Sequence, residues 1–520
     1  MSVPVEQSGE AALASEEEQP WLRLDKRMLL VHPINEVVKL LPVVAVSVVV
    51  GSRSGNQYWS LVAIVVLVIY GVLRWFTTSY RVGPVHVQLR RGVFQRKVLS
   101  VPRTRIRSVD VEAGLLHRLL GLAVVRIGTG RQTQGVDESD KFELNALDAS
   151  VVPGLRAALL AGHRTPPTGP DDAAVPTSQT NEVPNADSAT EIGHWSPSWV
   201  RYAPFSVTGL IAVGALVGVI FQYGLADRIA KSPTISEGVD SAEQAGALIL
   251  ALLGLLALVV LFVAASVFAC ARYLVVYGRM SITDNGRTLH VSHGLLRTRQ
   301  TTLDRARLRG ATLAEPLLLR LAGGARLDAI MTGVSAEHSE SSLLLPQSPR
   351  AEAERVMATV IGDDRQATVA LVPHGAAARR RRYARALWPA VLAALVAVAL
   401  AVAGCDVPWP VWAGVAAVAV AGTGLAWDRY RGLGHAVLPG WLITRSGSLD
   451  RRRDSVEAAG IIGWTVRQTF FQRRAGVASV IAATPAGTGR YVVHDLPVEQ
   501  AWALIDAVTP GAGGIWRRSV

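Results

Sequence analysis

Arginine is the residue whose type and spacing in this chain could do chemistry. Arg105, Arg107 and Arg118 crowd one short stretch, Arg307 and Arg320 recur two hundred residues later, and Arg451, Arg452 and Arg453 run consecutively. A guanidinium is permanently charged and holds its donors in a planar fork that fits phosphate or carboxylate. Such sets suit anionic lipid headgroups, at about 1 kcal/mol per residue near a membrane surface, or an acidic face of a partner protein. The competing reading is structural, with the arginines paired to nearby carboxylates or solvated at a rim, where exposed charges contribute little. A further run, Arg379–Arg382, flanks an apolar segment and reads as a signal that fixes membrane orientation.

No constellation points to catalysis. His290 and His293 lie three apart on an alternating stretch, which sends them to opposite faces of a strand and makes them poor co-ligands. Gly128-Thr129-Gly130-Arg131 and Gly487-Thr488-Gly489-Arg490 contain GxG, but neither precedes a helix with the later acidic residue that a dinucleotide site needs, so both read as hairpin turns. Phosphate-loop, HExxH and nucleophile-elbow patterns do not occur. The two cysteines, Cys270 and Cys405, end separate apolar runs that the topology below puts on opposite sides of a bilayer, so neither a disulfide framework nor a cysteine zinc site is expected. The sequence thus gives no catalytic, cofactor-binding or metal-binding residue, and a non-enzyme is expected.

Those arginines sit on elements that must themselves be placed. Half of the 520 residues are hydrophobic and the formal net charge is +12. The mean hydropathy is positive, which suggests membrane segments. The aromatics gather in apolar runs instead of interleaving with the arginines, which argues against nucleic acid as the partner. The first twenty residues carry five glutamates and no basic residue, unlike a signal peptide, and read as a solvated tail.

Internal repetition sets the organisation. Gly92, Arg105, Leu115, Leu116, Arg118 and Gly121 fall, without a gap, on Gly294, Arg307, Leu317, Leu318, Arg320 and Gly323. A second shift places Gly92, Ile106, Leu115, Leu116, Arg118 and Gly121 on Gly447, Ile461, Phe470, Phe471, Arg473 and Gly476. Before each copy stands a pair of apolar runs: Val37–Val50 with Tyr58–Phe76, Pro204–Tyr223 with Ala245–Cys270, and Leu387–Gly404 with Trp409–Trp427. Nineteen helical residues rise about 28 Å, enough to cross the hydrocarbon.

After each pair come alternating stretches such as Val85–Arg90 and Phe142–Leu147, the mark of half-buried strands. Asp284-Asn285-Gly286 signals a hairpin. Terminal helices are expected at Val151–Leu160 (Ser150 as N-cap), after Ser348-Pro349 as far as Gly362, and at Pro497–Val508. Leu115, Leu116, Leu119 and Leu120 look like core. The fold class is therefore an α+β integral membrane protein of three tandem units, each a two-helix transmembrane hairpin followed by a β-rich domain with a C-terminal helix.

The boundaries follow: a tail at 1–20, a basic lead-in and hairpin at 21–76, a first domain at 77–163 and a disordered linker at 164–198. A hairpin at 199–271, a second domain at 272–362, a linker at 363–386, a hairpin at 387–427, a third domain at 428–511 and a tail at 512–520 complete the chain. Basic residues gather in the segments flanking the hairpins, so both termini and all three domains are expected on the cytoplasmic side of a six-span cytoplasmic-membrane protein.

Arg105-Ile106-x-Ser108-Val109 followed by Leu115-Leu116-x-Arg118-Leu119-Leu120-Gly121-Leu122-Ala123, with the Trp21…Pro33 lead-in, resembles the bacterial pleckstrin-homology (PH) membrane proteins of the YdbS/YdbT type. The resemblance covers nearly the whole chain and implies PH-like β-sandwiches or partial barrels, each closed by a C-terminal helix, with no catalytic residues. The third unit departs from it, with Gly460 in place of Arg105 and Trp464 in place of Val109. The expected function is a membrane-anchored binding or scaffold protein that contacts anionic inner-leaflet lipid or a partner protein through Arg105, Arg107, Arg118, Arg307, Arg320 and Arg451–Arg453. The alternative is a component of a transport, export or envelope-stress system. Against it, no charged residue lies at the centre of any expected span, where ion and proton pathways place theirs.

Overall fold

The computed structural model describes residues 19–23, 25, 27, 73, 76–91, 96–103, 106, 108–128, 142–155, 190–205, 214, 218, 247–333 and 342–512. These belong to two compact units: Met1–Glu191 with Arg279–Arg307 and Gly333–Ser335, and Ile192–Gly278 with Leu308–Thr332 and Ala336–Val520.

In chain order the first strands are β1 (Leu22–Arg23), β2 (Ser79–Val82), β3 (His86–Arg91), β4 (Lys97–Pro102) and β5 (Ser108–Ala113). A one-turn helix, α1 (Leu115–Leu119), leads into β6 (Leu122–Gly128), β7 (Glu143–Asp148) and β8 (Thr190–His194). Helix α2 (Ala247–Tyr277) is followed by β9 (Ser281–Asp284), β10 (Thr288–His293), β11 (Thr298–Asp304), β12 (Leu308–Pro316), α3 (Leu317–Leu321), β13 (Gly324–Met331) and β14 (Leu343–Pro349). Then come α4 (Arg350–Ile361), α5 (Arg365–Thr368) and two long helices, α6 (Gly375–Val402) and α7 (Trp409–Arg431). The last set is β15 (Gly434–Leu438), β16 (Trp441–Ser446), β17 (Asp450–Glu457), β18 (Gly463–Arg467), α8 (Phe470–Arg474), β19 (Val477–Ala483), β20 (Arg490–Pro497) and α9 (Val498–Val508).

Alternation decides which side chains turn inward. In β3, Val87 and Leu89 are buried while their neighbours are not, and they pack with Ile106, Val109, Val125 and Leu144 of the second half of the same repeat. In the third repeat Leu442 of β16 packs with Val480 and Val493, and α9 closes the core with Ala501, Leu504, Ile505 and Val508. These are sheet-rich, PH-like layers with helices against them. Asn285 makes the expected hairpin between β9 and β10: its side-chain oxygen accepts from the backbone N–H of Arg287 and Thr288, and Gly286 takes a left-handed φ of 81°. The second GTGR turn likewise joins β19 to β20, with Gly487 and Gly489 both at positive φ.

The sheets do not stop at repeat boundaries. In unit one the order β7-β6-β5 continues into β11-β10-β9, and in unit two β14-β13-β12 continues into β17-β16-β15. Each junction is antiparallel, from Thr298 opposite Ala113 to Leu303 opposite Ser108 in the first, and from Gly310 opposite Val456 to Pro316 opposite Asp450 in the second. Edge strands offer unpaired N–H and C=O groups, and here the neighbouring repeat satisfies them. The expected PH-like sandwiches thus share sheets across repeat boundaries.

Other expectations change for local reasons. Leu115 is exposed and Leu119 is 80% exposed, so neither is core. A single helical turn buries one position, and that position is His117 in α1, Leu319 in α3 and Gln472 in α8. Leu321, at 75%, and the edge-on pair Phe470 and Phe471 are exposed as well. The start of α4 falls one residue later than expected: Pro349 is its N-cap, while Ser348 belongs to β14 and its hydroxyl donates to the Ala325 carbonyl. Ser150 leans on Asp148, which accepts from both its N–H and its hydroxyl. Each expected linker contains structure: β8 and the first residues of a 3-10 helix at Pro197–Phe205 in the first, α5 and the start of α6 in the second.

Among the described residues three helical stretches are long and apolar enough to cross a membrane: Val259–Tyr277 within α2, Gly375–Val402 and Trp409–Arg431. α6 and α7 form the expected third hairpin, packed so closely that a Cβ on Gly422 would stand 2.8 Å from the Ala386 carbonyl oxygen. Small residues permit this approach. The runs expected at 37–50, 58–76 and 204–223 lie, isolated positions apart, outside the described residues. Cys270 and Cys405 are free thiols.

Candidate functional site

The predicted arginines divide by surroundings. Arg105 and Arg107 lie outside the described residues. Arg118 is exposed and donates to the Leu295 carbonyl at 3.1 Å. Arg307 is buried, donating to the Ile106 carbonyl at 2.8 Å with Asp304 beside it. Arg320 and Arg451, which are far apart in sequence, converge on Asp428 in the last turn of α7, each at 2.8 Å, and the Ser448 hydroxyl donates to the same carboxylate. Arg452 pairs with Asp450 at the surface. Arg453 is only 5% exposed and donates to the carbonyls of Gln366 and Val369. The run Arg379–Arg382 also splits: Arg381 and Arg382 turn inward onto Asp495, at 3.1 and 3.0 Å, while Arg379 and Arg380 stay exposed.

A cleft of about 630 Å³ opens where α4, α5, the end of α7 and strands β16 and β17 meet. Arg350, Arg431, Arg445 and Arg453 line it, with Tyr430 and a single acid, Glu354. That acid already accepts from Arg350 at 2.7 Å, and the buried Glu315 carboxylate lies 3.3 Å from the same guanidinium. Arg445 donates to the carbonyls of Gly432 and Arg431, both at 3.1 Å, and Arg453 to those of α5. These carbonyls satisfy donors without cancelling charge, although the C-terminal end of a helix favours cations modestly.

Burial first, then the neighbouring charges of Arg445 and Arg350, lower the Arg453 guanidinium to about 10. Arg445 is lowered by burial and then by Arg451. Like charges held together in this way leave positive potential that an anion would relieve. Sequence reasoning found Arg453 but missed Arg350, Arg445 and Asp428. The available signal for Asp428 was a lone acid within the basic segment Trp427–Arg431.

The cleft stands beside exposed apolar and aromatic groups. The Arg320–Asp428 pair fixes α3 to the end of α7, so the exposed Leu318 and Leu321 share that level with Trp427, whose ring lies under Arg431 at 4.7 Å. A Trp with a flanking Arg at a helix end is the composition of a membrane interface.

The Bacterial PH domain family matches residues 37–162, 244–363 and 390–510. The chain belongs to this family. The three matches cover most of the chain and coincide with the three repeats read from the sequence. No curated protein and no solved structure matches the chain.

Proposed function

We propose that this chain is a non-enzymatic, membrane-anchored binding or scaffold protein of the YdbS/YdbT type. Its PH-like repeats stand at the inner face of the cytoplasmic membrane and contact anionic lipid or a partner protein. The observation that carries this reading is the cleft at the end of α7, lined by four guanidiniums and one carboxylate, with the buried Glu315 carboxylate behind Arg350. An anionic group in that cleft lies within reach of the headgroup layer if α7 crosses the bilayer. The exposed Leu318, Leu321 and Trp427 support the same placement, because apolar and aromatic side chains at a span end favour the interface. Repeated modules held at one surface add weak contacts together.

The test is brief crosslinking and co-purification of the full chain from its native membranes, with bound lipids and proteins identified together. Wild type is compared with an Arg350→Gln/Arg431→Gln variant, which retains the deeper Arg445 and Arg453. Loss of an anionic lipid or of one protein from the variant supports the reading. Identical recoveries from both samples defeat the cleft as the contact surface.

A further inference from the structure

The contact between Gly422 and the Ala386 carbonyl fixes which residues of the α6–α7 hairpin share a level. Both helices rise about 1.5 Å per residue and run in opposite directions. Four residues from that contact toward the β-rich domains, Ala426 is level with Arg382; five residues away, Trp427 is level with Arg381. At this level α7 holds α3, through Asp428 and Arg320. At the same level α6 holds α8. Arg381 and Arg382 reach Asp495 at 3.1 and 3.0 Å, and the Gln472 amide of α8 donates to the same carboxylate at 2.9 Å. Two repeat mates, α3 and α8, are therefore fastened at one level of the hairpin, one to each helix.

The fastening residue differs between them, and the difference frees a surface. Gln472 is buried where α3 has the buried Leu319. Its oxygen accepts from the Thr469 N–H, and its nitrogen also donates to the Ser479 hydroxyl, so one polar side chain holds the whole turn. With the tether at Gln472, Arg473, the counterpart of Arg320, lies exposed beside Arg474. Phe470 and Phe471, which replace Leu317 and Leu318, are 68% and 72% exposed, their rings edge-on 5.5 Å apart. Exposed apolar groups of this size, rimmed by charge, mark an interaction surface.

We propose that α8 is a membrane wedge: Phe470 and Phe471 enter the interfacial layer of the bilayer that α6 and α7 cross, and Arg473 and Arg474 take anionic headgroups. The inference rests on the membrane-anchored reading above. The level selects the occupant. Trp427 lies at it, and the exposed Trp388 follows about two turns along α6, the positions of an aromatic belt. A bilayer crossed by this hairpin has its headgroup layer there, and a protein partner would have to displace it. Interfacial helices sink their apolar side chains about 5–10 Å into that layer, with basic residues at the headgroups. With α3 on the other helix, the second and third repeats are held against one surface.

The experiment uses the full wild-type chain in vesicles of equimolar phosphatidylcholine and phosphatidylglycerol, with a trace of phosphatidylcholine carrying a photoactivatable group on its upper acyl chain. After illumination and proteolysis, mass spectrometry assigns the label to residues. Residues 468–473 are expected to be labelled comparably to the α6–α7 hairpin. They should stand about tenfold above residues 454–467, which include the similarly exposed Ile462 at the other end of β18. Arg473→Gln/Arg474→Gln is expected to lower α8 labelling about fivefold in these vesicles and to leave it unchanged in phosphatidylcholine alone. A labelled hairpin with no more label on 468–473 than on 454–467 overturns the wedge and leaves the anchored reading standing. A hairpin without label defeats both. Labelling of α8 that appears only as the chain is diluted in lipid shows a second copy covering it, which also overturns the wedge. An equal loss in both vesicle types overturns the headgroup role of the arginines.

Discussion

Arg320 of α3 and Asp428 of α7, a hundred residues apart, meet through a 2.8 Å ion pair that Arg451 shares from the opposite side. One carboxylate thus holds two guanidiniums, a short repeat helix and the end of a membrane-length helix in a single arrangement. Removing it leaves two largely buried charges without their common partner. Asp428→Ala is expected to cost about 2 kcal/mol, seen as a lower unfolding midpoint of the purified full chain. Ser448→Ala, which removes one neutral donor, should cost less than half as much.

The consecutive arginines of β17 should behave as three different residues. Arg453→Ala strips two backbone carbonyls of their donor inside the fold and is expected to destabilise by about 1–3 kcal/mol. Arg452→Ala removes a surface pair and should stay within about 0.5 kcal/mol. Equal losses in a chemical unfolding series would contradict this assignment.

Gly310 sits at the start of the second junction with φ 147°, and a Cβ there would lie 1.9 Å from the Ser455 carbonyl oxygen. Neither atom can yield without breaking the ladder that joins the repeats. Gly310→Ala is expected to cost about 3 kcal/mol or more, with protease cleavage of the folded chain appearing within β12 or β17. Gly286→Ala, with open space around its Cβ, should be milder despite its positive φ.

A buried histidine cluster predicts acid sensitivity. His374 Nδ1 lies 2.6 Å from the His494 carbonyl oxygen, so it carries the proton, and its Nε2 accepts from His435 Nδ1 at 3.0 Å. Protonating His374 would set two donors against each other. Burial first, then the His374 charge, pulls His435 down to about 4. Burial and then Arg382 do the same to His494, also to about 4, with Asp495 opposing. The unfolded chain takes up protons near 6.5 and the folded chain only near 4, so this stability is present above 6.5 and lost as pH falls through that window. Each histidine contributes up to ~1.4 kcal/mol per pH unit there. The unfolding midpoint should fall accordingly, and His435→Gln should flatten its dependence on pH.

The sequence by itself determined the threefold repetition, the strand alternation seen at Val87 and Leu89, the Asn285-Gly286 hairpin and the apolar character of α2, α6 and α7. Each depends on residues close together in the chain, or on a period that side chains must follow to reach a core. Tertiary structure decided the rest. Leu115 and Leu119 match the pattern of a buried helix, but one turn of helix has room to bury only His117. Arg379 to Arg382 and Arg451 to Arg453 look uniform in sequence, yet each run is divided by which side chains find Asp495, Asp428 or a backbone carbonyl from another element. The joining of β5 to β11 and of β12 to β17 was not legible either. An edge strand states only that it needs a partner, and which strand supplies the hydrogen bonds is settled by packing between segments far apart in the chain.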